Sequence, residues 1–267
     1  RTVAPGVVHS EYVLPGPNTL DVLAVSLENP FISMESYKPE GLTKTTLQSA
    51  ANDREGHRVI GAVNADFFSF ETGWPTGNQV VNGVWAQGVS AVRSHLAIDT
   101  SGKPFIERLT FSGRMWANDG STFKVSSVNT NRAAGSLVAY TAFRGPTTET
   151  DATGIECALT FLSPTVAAGD TLLAVVSTKV AGGNSSIPSP GCVLSASSGA
   201  PATFISTSVQ VGDTIRLLLG LAPPLRSITQ VLGGAGRILL GGRNVTDSMS
   251  TFENIGTSFT GASCSFR

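Results

Sequence analysis

Short apolar or alternating runs, each closed off by Gly, Pro, Asn or Asp, recur along almost the whole chain. A period of two with β-branched residues turns one side of a run toward a core and the other toward solvent, while the punctuating residues supply turns. The runs Val7 to Leu14, Thr19 to Ser26, Arg58 to Val63, Gln79 to Trp85, His95 to Asp99 and Lys124 to Val128 therefore read as strands. Further on, Leu137 to Thr141, Cys157 to Leu162, Thr171 to Ser177, Cys192 to Ser195 and Thr214 to Leu219 read the same way. Helical spacing is clearest in Thr43 to Arg54, where Leu47, Ala50 and Ala51 follow a Thr-rich start and Gly56 closes the pattern. The expected fold class is α+β, with a mainly antiparallel or mixed β-sheet, few helices and a β-rich insertion.

The 267 residues, 41% of them apolar, are enough to bury a sizeable core. Only 14% are Asp, Glu, Lys or Arg, against roughly 25% in an average soluble domain. With abundant Gly, Ser and Thr, that balance suits an extracytoplasmic protein, secreted, periplasmic or on the cell surface. A net charge of -1 provides no field to gather a polyanion, which argues against nucleic acid as a partner. No apolar run reaches the roughly 18 to 20 residues of a membrane helix, so no transmembrane segment is expected. The opening Arg1-Thr2-Val3-Ala4-Pro5 is not a signal peptide.

Cys157, Cys192 and Cys264 form no CxxC or Cys/His cluster, so no metal-ligand motif is present and no cofactor is specified. The favoured state for the cysteines is buried and free, with a Cys157 to Cys192 disulfide as the alternative. His9, His57 and His95 stand in unlike contexts, for which surface solvation is the better explanation. No Ser-His-Asp order or His-Glu-X-X-His motif occurs, which leaves serine-hydrolase and zinc-protease chemistry unsupported.

From Ser112 to Ser227 two Gly-Asp-Thr turns, at Gly169 and Gly212, each launch an apolar strand, the pattern of hairpins rather than of a catalytic pair. The densest cluster of unusual residues runs from Gly61 to Val84. There an apolar strand gives way to Asn64-Ala65-Asp66-Phe67-Phe68, then a Gly/Pro loop through Glu71 and Trp74, then Gly77-Asn78 and a second strand with Asn82-Gly83 at its turn. A strand end beside a loop is where side chains are held rigidly next to something that can move. The plain alternative is a hairpin in which Asn64 and Asp66 only shape the turn.

These residues resemble the phosphodiester glycosidase family, whose hallmark is a strand ending in Asn-Gly-Gly-Phe/Tyr-Phe, a short loop, a Gly-Asn or Gly-Leu step and an Asn-Gly turn. Ala65 and Asp66 stand here in place of the two glycines, which adds a carboxylate. Arg93 to Lys103 is similar to the family strand that leads into an Asp-X-Gly turn. Gly233 to Arg243 resembles its Gly-Gly-X-X-X-Leu strand and hairpin, and Ser258 to Arg267 approaches its Arg-Thr-Ala motif, with Arg267 on the arginine. The resemblance divides the chain into a glycosidase-like part at 1–111, a β-rich insertion at 112–227 and a return to the first part at 228–267. The family continues past the arginine into a Leu-Asp-Gly-Gly-Gly-Ser segment, so a C-terminal fragment completing the domain is an implied partner.

The implied activity is hydrolysis of a sugar 1-phosphodiester by an extracytoplasmic glycan hydrolase; a noncatalytic carbohydrate-binding or cell-surface interaction protein on the same scaffold is the alternative. The leaving group is a phosphate ester, so a strong general acid is less necessary than stabilisation of positive charge at the sugar and a clamp for the phosphate. Asp66 is the leading candidate for base or electrostatic stabiliser, with Glu71 its rival, and Arg267 for a bidentate phosphate clamp. Asn64 and Asn78 are candidates to bind sugar hydroxyls, Phe67 and Trp74 to face a pyranose, and Gly77, Gly233 and Gly234 to bring backbone close to the ligand. For the Gly233 loop a tight turn is an equal alternative. Asn129 and Arg132 resemble an Asn-X-X-Arg stretch expected to line the cleft. The ligand implied is a carbohydrate or sugar phosphate.

Overall fold

The structure, a computed structural model, describes residues 1–248 and 251, except 17 and 164. Its strands are β1 Thr2–Ala4, β2 Val7–Val13, β3 Thr19–Val25, β4 Gln79–Val81, β5 Val84–Gln87, β6 Arg93–Asp99, β7 Pro104–Trp116, β8 Thr122–Val125 and β9 Ser127–Val128. They continue as β10 Leu137–Tyr140, β11 Ile155–Phe161, β12 Thr171–Ala181, β13 Gly191–Ala196, β14 Thr214–Ala222, β15 Ile228–Gly233, β16 Leu239–Leu240 and β17 Arg243–Asn244. Among the described residues there are also two α-helices, α1 Thr45–Asn52 and α2 Gly199–Ser208, and short 3-10 turns at Ala142–Arg144 and Thr246–Ser248. The fold is α+β with a mostly antiparallel sheet and few helices, as the alternating runs indicate.

Most of the chain forms a 12-stranded sheet in the order β5-β4-β15-β6-β7-β14-β12-β11-β13-β10-β9, with β8 on β7. Only β9 and β10 pair in parallel among these ladders. The path returns on itself: Gly88, just past β5, and Val128 in β9 exchange backbone hydrogen bonds of 3.1 and 2.9 Å. Closure removes the open edges that a wide sheet would otherwise expose. Alternation then sends Val80, Trp85, Ala97, Leu109, Leu137, Leu159, Leu194, Leu217 and Val231 into one shared core. The indole of Trp85 donates to the Leu219 carbonyl at 2.8 Å, a buried link from β5 to β14.

The two Gly-Asp-Thr turns launch β12 and β14, which pair with each other. Gly169 and Gly212 have φ of 88° and 91°, which a residue with a Cβ adopts only with strain. The Asn82-Gly83 turn joins β4 to β5, and Gly241-Gly242 joins β16 to β17. β7 runs continuously through the 111/112 position and pairs with β6 and β14 at its two ends.

Several features depart from the sequence reading: Lys124 to Val128 is not one strand but parts of β8 and β9, which pair with β7 and β10, and β15 falls outside the expected runs. Arg58 to Val63 forms no strand: its backbone has no ladder partner in the described structure, so alternation there has nothing to pair with. Conversely, the long β7 and α2 were not evident from sequence. The half of β7 that carries Leu109, Phe111 and Met115 alternates with charged or polar Arg108, Thr110, Ser112 and Arg114, while α2 has too many Ser and Thr to show a clear helical stripe. α2 nevertheless buries Phe204 and Ile205 in the shared core. Helix α1, by contrast, buries no residue.

A three-stranded sheet of β1, β2 and β3 lies outside this ladder. The segment after it reaches the outer face of the large sheet, where the Ser36 N–H donates to Gln230 Oε1 at 3.1 Å and Gln79 Nε2 donates to Ser36 Oγ at 2.8 Å. No described helix is long and apolar enough to cross a membrane.

Candidate functional site

Asp66 sits on the loop before β4 with φ 51°, a left-handed backbone that Asp tolerates better than most residues. That conformation turns its carboxylate back onto the chain. Oδ1 accepts the Phe67 N–H at 2.7 Å and Oδ2 accepts the Gly77 N–H at 2.9 Å. Arg93, the first residue of β6, adds its Nη1 at 3.4 Å from Oδ1 and its Nη2 at 3.0 Å from Thr76 Oγ1. The Arg93 guanidinium also lies over the Phe67 ring, 5.9 Å from its centroid.

Two glycines make this arrangement possible. A Cβ on Gly233 would lie 2.2 Å from Asp66 Oδ2, and one on Gly77 would lie 2.5 Å from the same oxygen. Gly233 shares a face with Val231 by strand alternation, so the carboxylate caps the β15 end of the core. Its side chain is only 5% exposed. Burial raises the Asp66 pKa above the ordinary carboxylate range, and that effect outweighs the opposing pull of Arg93 and the two backbone N–H groups.

Next to this group stand Asn78 and His95, both with no solvent exposure. Asn78 Oδ1 accepts the Val89 N–H at 2.7 Å, whereas its Nδ2 is buried without a hydrogen-bond partner among the described residues. The Asn78 N–H points to His95 Nε2 at 3.4 Å, while His95 Nδ1 is 2.7 Å from the Arg93 carbonyl. The carbonyl can only accept, so Nδ1 is the donor in that contact. Surface solvation does not describe His95: alternation on β6 places it with Arg93 and Ala97 on the core face. His9 and His57 instead pair with Asp21 at 2.7 Å and Glu35 at 3.0 Å.

The structure thus brings Asp66, Phe67, Gly77, Asn78 and Gly233 together, and adds Arg93, Thr76 and His95, which sequence did not single out as site residues. Arg93 opens the very run that carried part of the resemblance, but only the tertiary contact gives it a carboxylate. Gly234 continues the ladder by donating to the Ser94 carbonyl at 3.0 Å, so its N–H is already used. Asn64 is exposed and accepts the hydroxyl proton of Thr45, which anchors the start of α1. Glu71 is exposed on the neighbouring turn, with its N–H 3.3 Å from Ser69 Oγ. Trp74 lies beneath the Lys38 ammonium, 3.9 Å from the ring centroid. Arg267 falls outside the described residues.

Asn129 and Arg132 occupy different surroundings from one another. Asn129 is buried, with Nδ2 donating to the Ala86 carbonyl at 3.0 Å and Thr141 Oγ1 at 2.8 Å while Oδ1 accepts the Thr141 N–H at 2.9 Å. It ties β9 to β5 and β10 near the closing contact. Arg132 is buried among Asp151 at 2.7 Å, Ser195 Oγ at 3.1 Å and, more distantly, Glu156 at 4.0 Å. Glu156, with no exposed surface, accepts from Thr148, Thr150 and the Ser185 N–H at 3.0, 2.7 and 2.8 Å. Burial pushes its pKa up, but these hydroxyl and amide donors more than offset that and hold it below the ordinary value. No group of three or more His, Cys, Asp or Glu residues suited to a metal ion occurs among the described residues.

No family model and no curated protein matches the chain. Among solved structures, a hypothetical protein from Synechocystis superposes with a TM-score of 0.67 at 15% identity, covering 96% of this chain and 46% of that one. A structure from Burkholderia pseudomallei K96243 gives a TM-score of 0.45 at 16% identity over 67% of this chain and 42% of that one. This chain spans less than half the length of either solved chain. The likeness to the Synechocystis protein shows a shared fold.

Proposed function

We propose that this protein is an extracytoplasmic glycan hydrolase acting on a sugar 1-phosphodiester. The observation that carries this reading is the Asp66 carboxylate, which the loop, β6 and β15 enclose with the Gly77 N–H, the Arg93 guanidinium and the Gly233 backbone. A phosphodiester substrate needs a cation for its phosphate and a carboxylate near the sugar, where positive charge develops as the bond to phosphate breaks. Arg93 suits the first task and Asp66 the second. The Phe67 ring, partly exposed beneath the Arg93 guanidinium, adds an apolar edge to this rim.

One observation favours the second reading, a noncatalytic carbohydrate-binding or cell-surface interaction protein on the same scaffold. The Asp66 carboxylate is already held by three donors of its own chain, a state more natural to a pinned loop than to a free base.

Hydrolysis of a panel of sugar 1-phosphodiesters, followed by sugar release, separates the two. The hydrolase reading expects turnover by the wild type and a loss of roughly a hundredfold or more in Asp66→Asn. Glycan binding without turnover by the wild type moves the assignment to the binding protein.

A further inference from the structure

We propose that Asp66 is an intramolecular plug in an oxyanion site, and that a phosphate group of a ligand takes the place of its carboxylate. The donors around that carboxylate are of the kind that recognises phosphate: the Phe67 N–H at 2.7 Å, the Gly77 N–H at 2.9 Å and the Arg93 Nη1 at 3.4 Å. Thr76 Oγ1 holds the other guanidinium nitrogen at 3.0 Å, which fixes the direction of the fork. The backbone on two sides comes as close as it does because positions 77 and 233 are glycine, where a Cβ would approach Asp66 Oδ2 to 2.5 and 2.2 Å. Main chain thus lies against the carboxylate on two sides.

Access and donor chemistry agree with this. Phe67 and Thr76 are exposed and the Arg93 side chain is 21% exposed, so one side of the cradle opens to solvent. A phosphate presents more acceptor oxygens than the carboxylate, so it can meet the same donors while keeping oxygens on the open side. Displacement releases the Asp66 carboxylate from its donors, as a role near the sugar requires; the inference rests on the proposed hydrolysis for the identity of the substrate only.

Isothermal titration with inorganic phosphate tests the plug. Glycine at position 66 suits φ 51° without strain, so Asp66→Gly keeps the loop path while emptying the cradle of its carboxylate. It is expected to bind phosphate roughly tenfold or more tightly than the wild type, and Asp66→Gly/Arg93→Ala is expected to lose that gain. Asp66→Asn, which keeps the shape but not the charge, is expected to gain affinity in the same direction and serves if the glycine variant does not fold. A folded Asp66→Gly or Asp66→Asn protein with unchanged phosphate affinity overturns the proposal. A gain in phosphate binding without turnover of any phosphodiester by the wild type upholds the plug and removes the hydrolase. Turnover by the wild type without such a gain does the reverse.

Discussion

A carboxylate pressed against two glycine backbones ties the tolerance of each position to the others. Gly233→Ala puts a methyl group 2.2 Å from Asp66 Oδ2, so either the loop or β15 has to shift. We expect a cost of about 1–3 kcal/mol in urea unfolding. In an Asp66→Ala background the same substitution should cost much less, because the conflicting oxygen is gone; equal costs in both backgrounds would remove the contact from the explanation. Titration of Asp66 gives a second expectation. Its folded pKa lies above the unfolded value, so its contribution to stability is fully present below the unfolded pKa and is lost as pH rises through the folded one. The stability of the wild type relative to Asp66→Asn should therefore fall as pH rises through and just above the ordinary carboxylate range, read from unfolding curves at successive pH values.

At the scale of elements, β11 and β13 show how sheet register decides the fate of side chains. Cys157 lies opposite Leu194 and Cys192 opposite Leu159, so both sulfurs enter the shared core as free thiols, the state favoured from sequence over a disulfide. Burial pushes the Cys157 thiol up to about 12 and raises that of Cys192 as well. Neither should form thiolate at pH 8 in the native protein. Alkylation followed by peptide mapping is expected to leave both unmodified until denaturant is added, and rapid native labelling of either would contradict their placement. The helices differ in the same sense. α2 was hard to see in sequence yet fills the core, whereas α1 was easy to see yet buries nothing, because helical spacing reports a stripe and not what packs against it.

For the whole molecule, closure of the sheet makes residues distant in sequence into neighbours across a single core. Trp85 spans that core, with its ring edge-on to Phe111 at a centroid distance of 5.0 Å and its Nε1 2.8 Å from the Leu219 carbonyl. Trp85→Phe removes the indole donor and some volume. The Leu219 carbonyl keeps the Gly169 N–H at 3.1 Å, so the loss should be on the order of 1–2 kcal/mol rather than that of a fully orphaned acceptor. Chemical denaturation checks this, and an unchanged midpoint would show that the cross-core bond contributes nothing.

Alternation, turn residues and composition by themselves determined the fold class and most strands, since a period of two and a glycine at positive φ are local properties of the chain. The same local signals marked Asp66, Phe67, Gly77, Asn78 and Gly233, though not that they meet. Register and closure decided the rest. They buried His95, withheld a partner from the alternating run at Arg58 to Val63, and drew Asn129 and Arg132 into internal hydrogen bonds. Arg93 became the counter-ion of Asp66 because β6 lies beside β15, whose Gly233 leaves room for the carboxylate. No spacing along the sequence encodes that contact; it exists only once the loop of Asp66 meets Arg93, 27 residues on, beside β15.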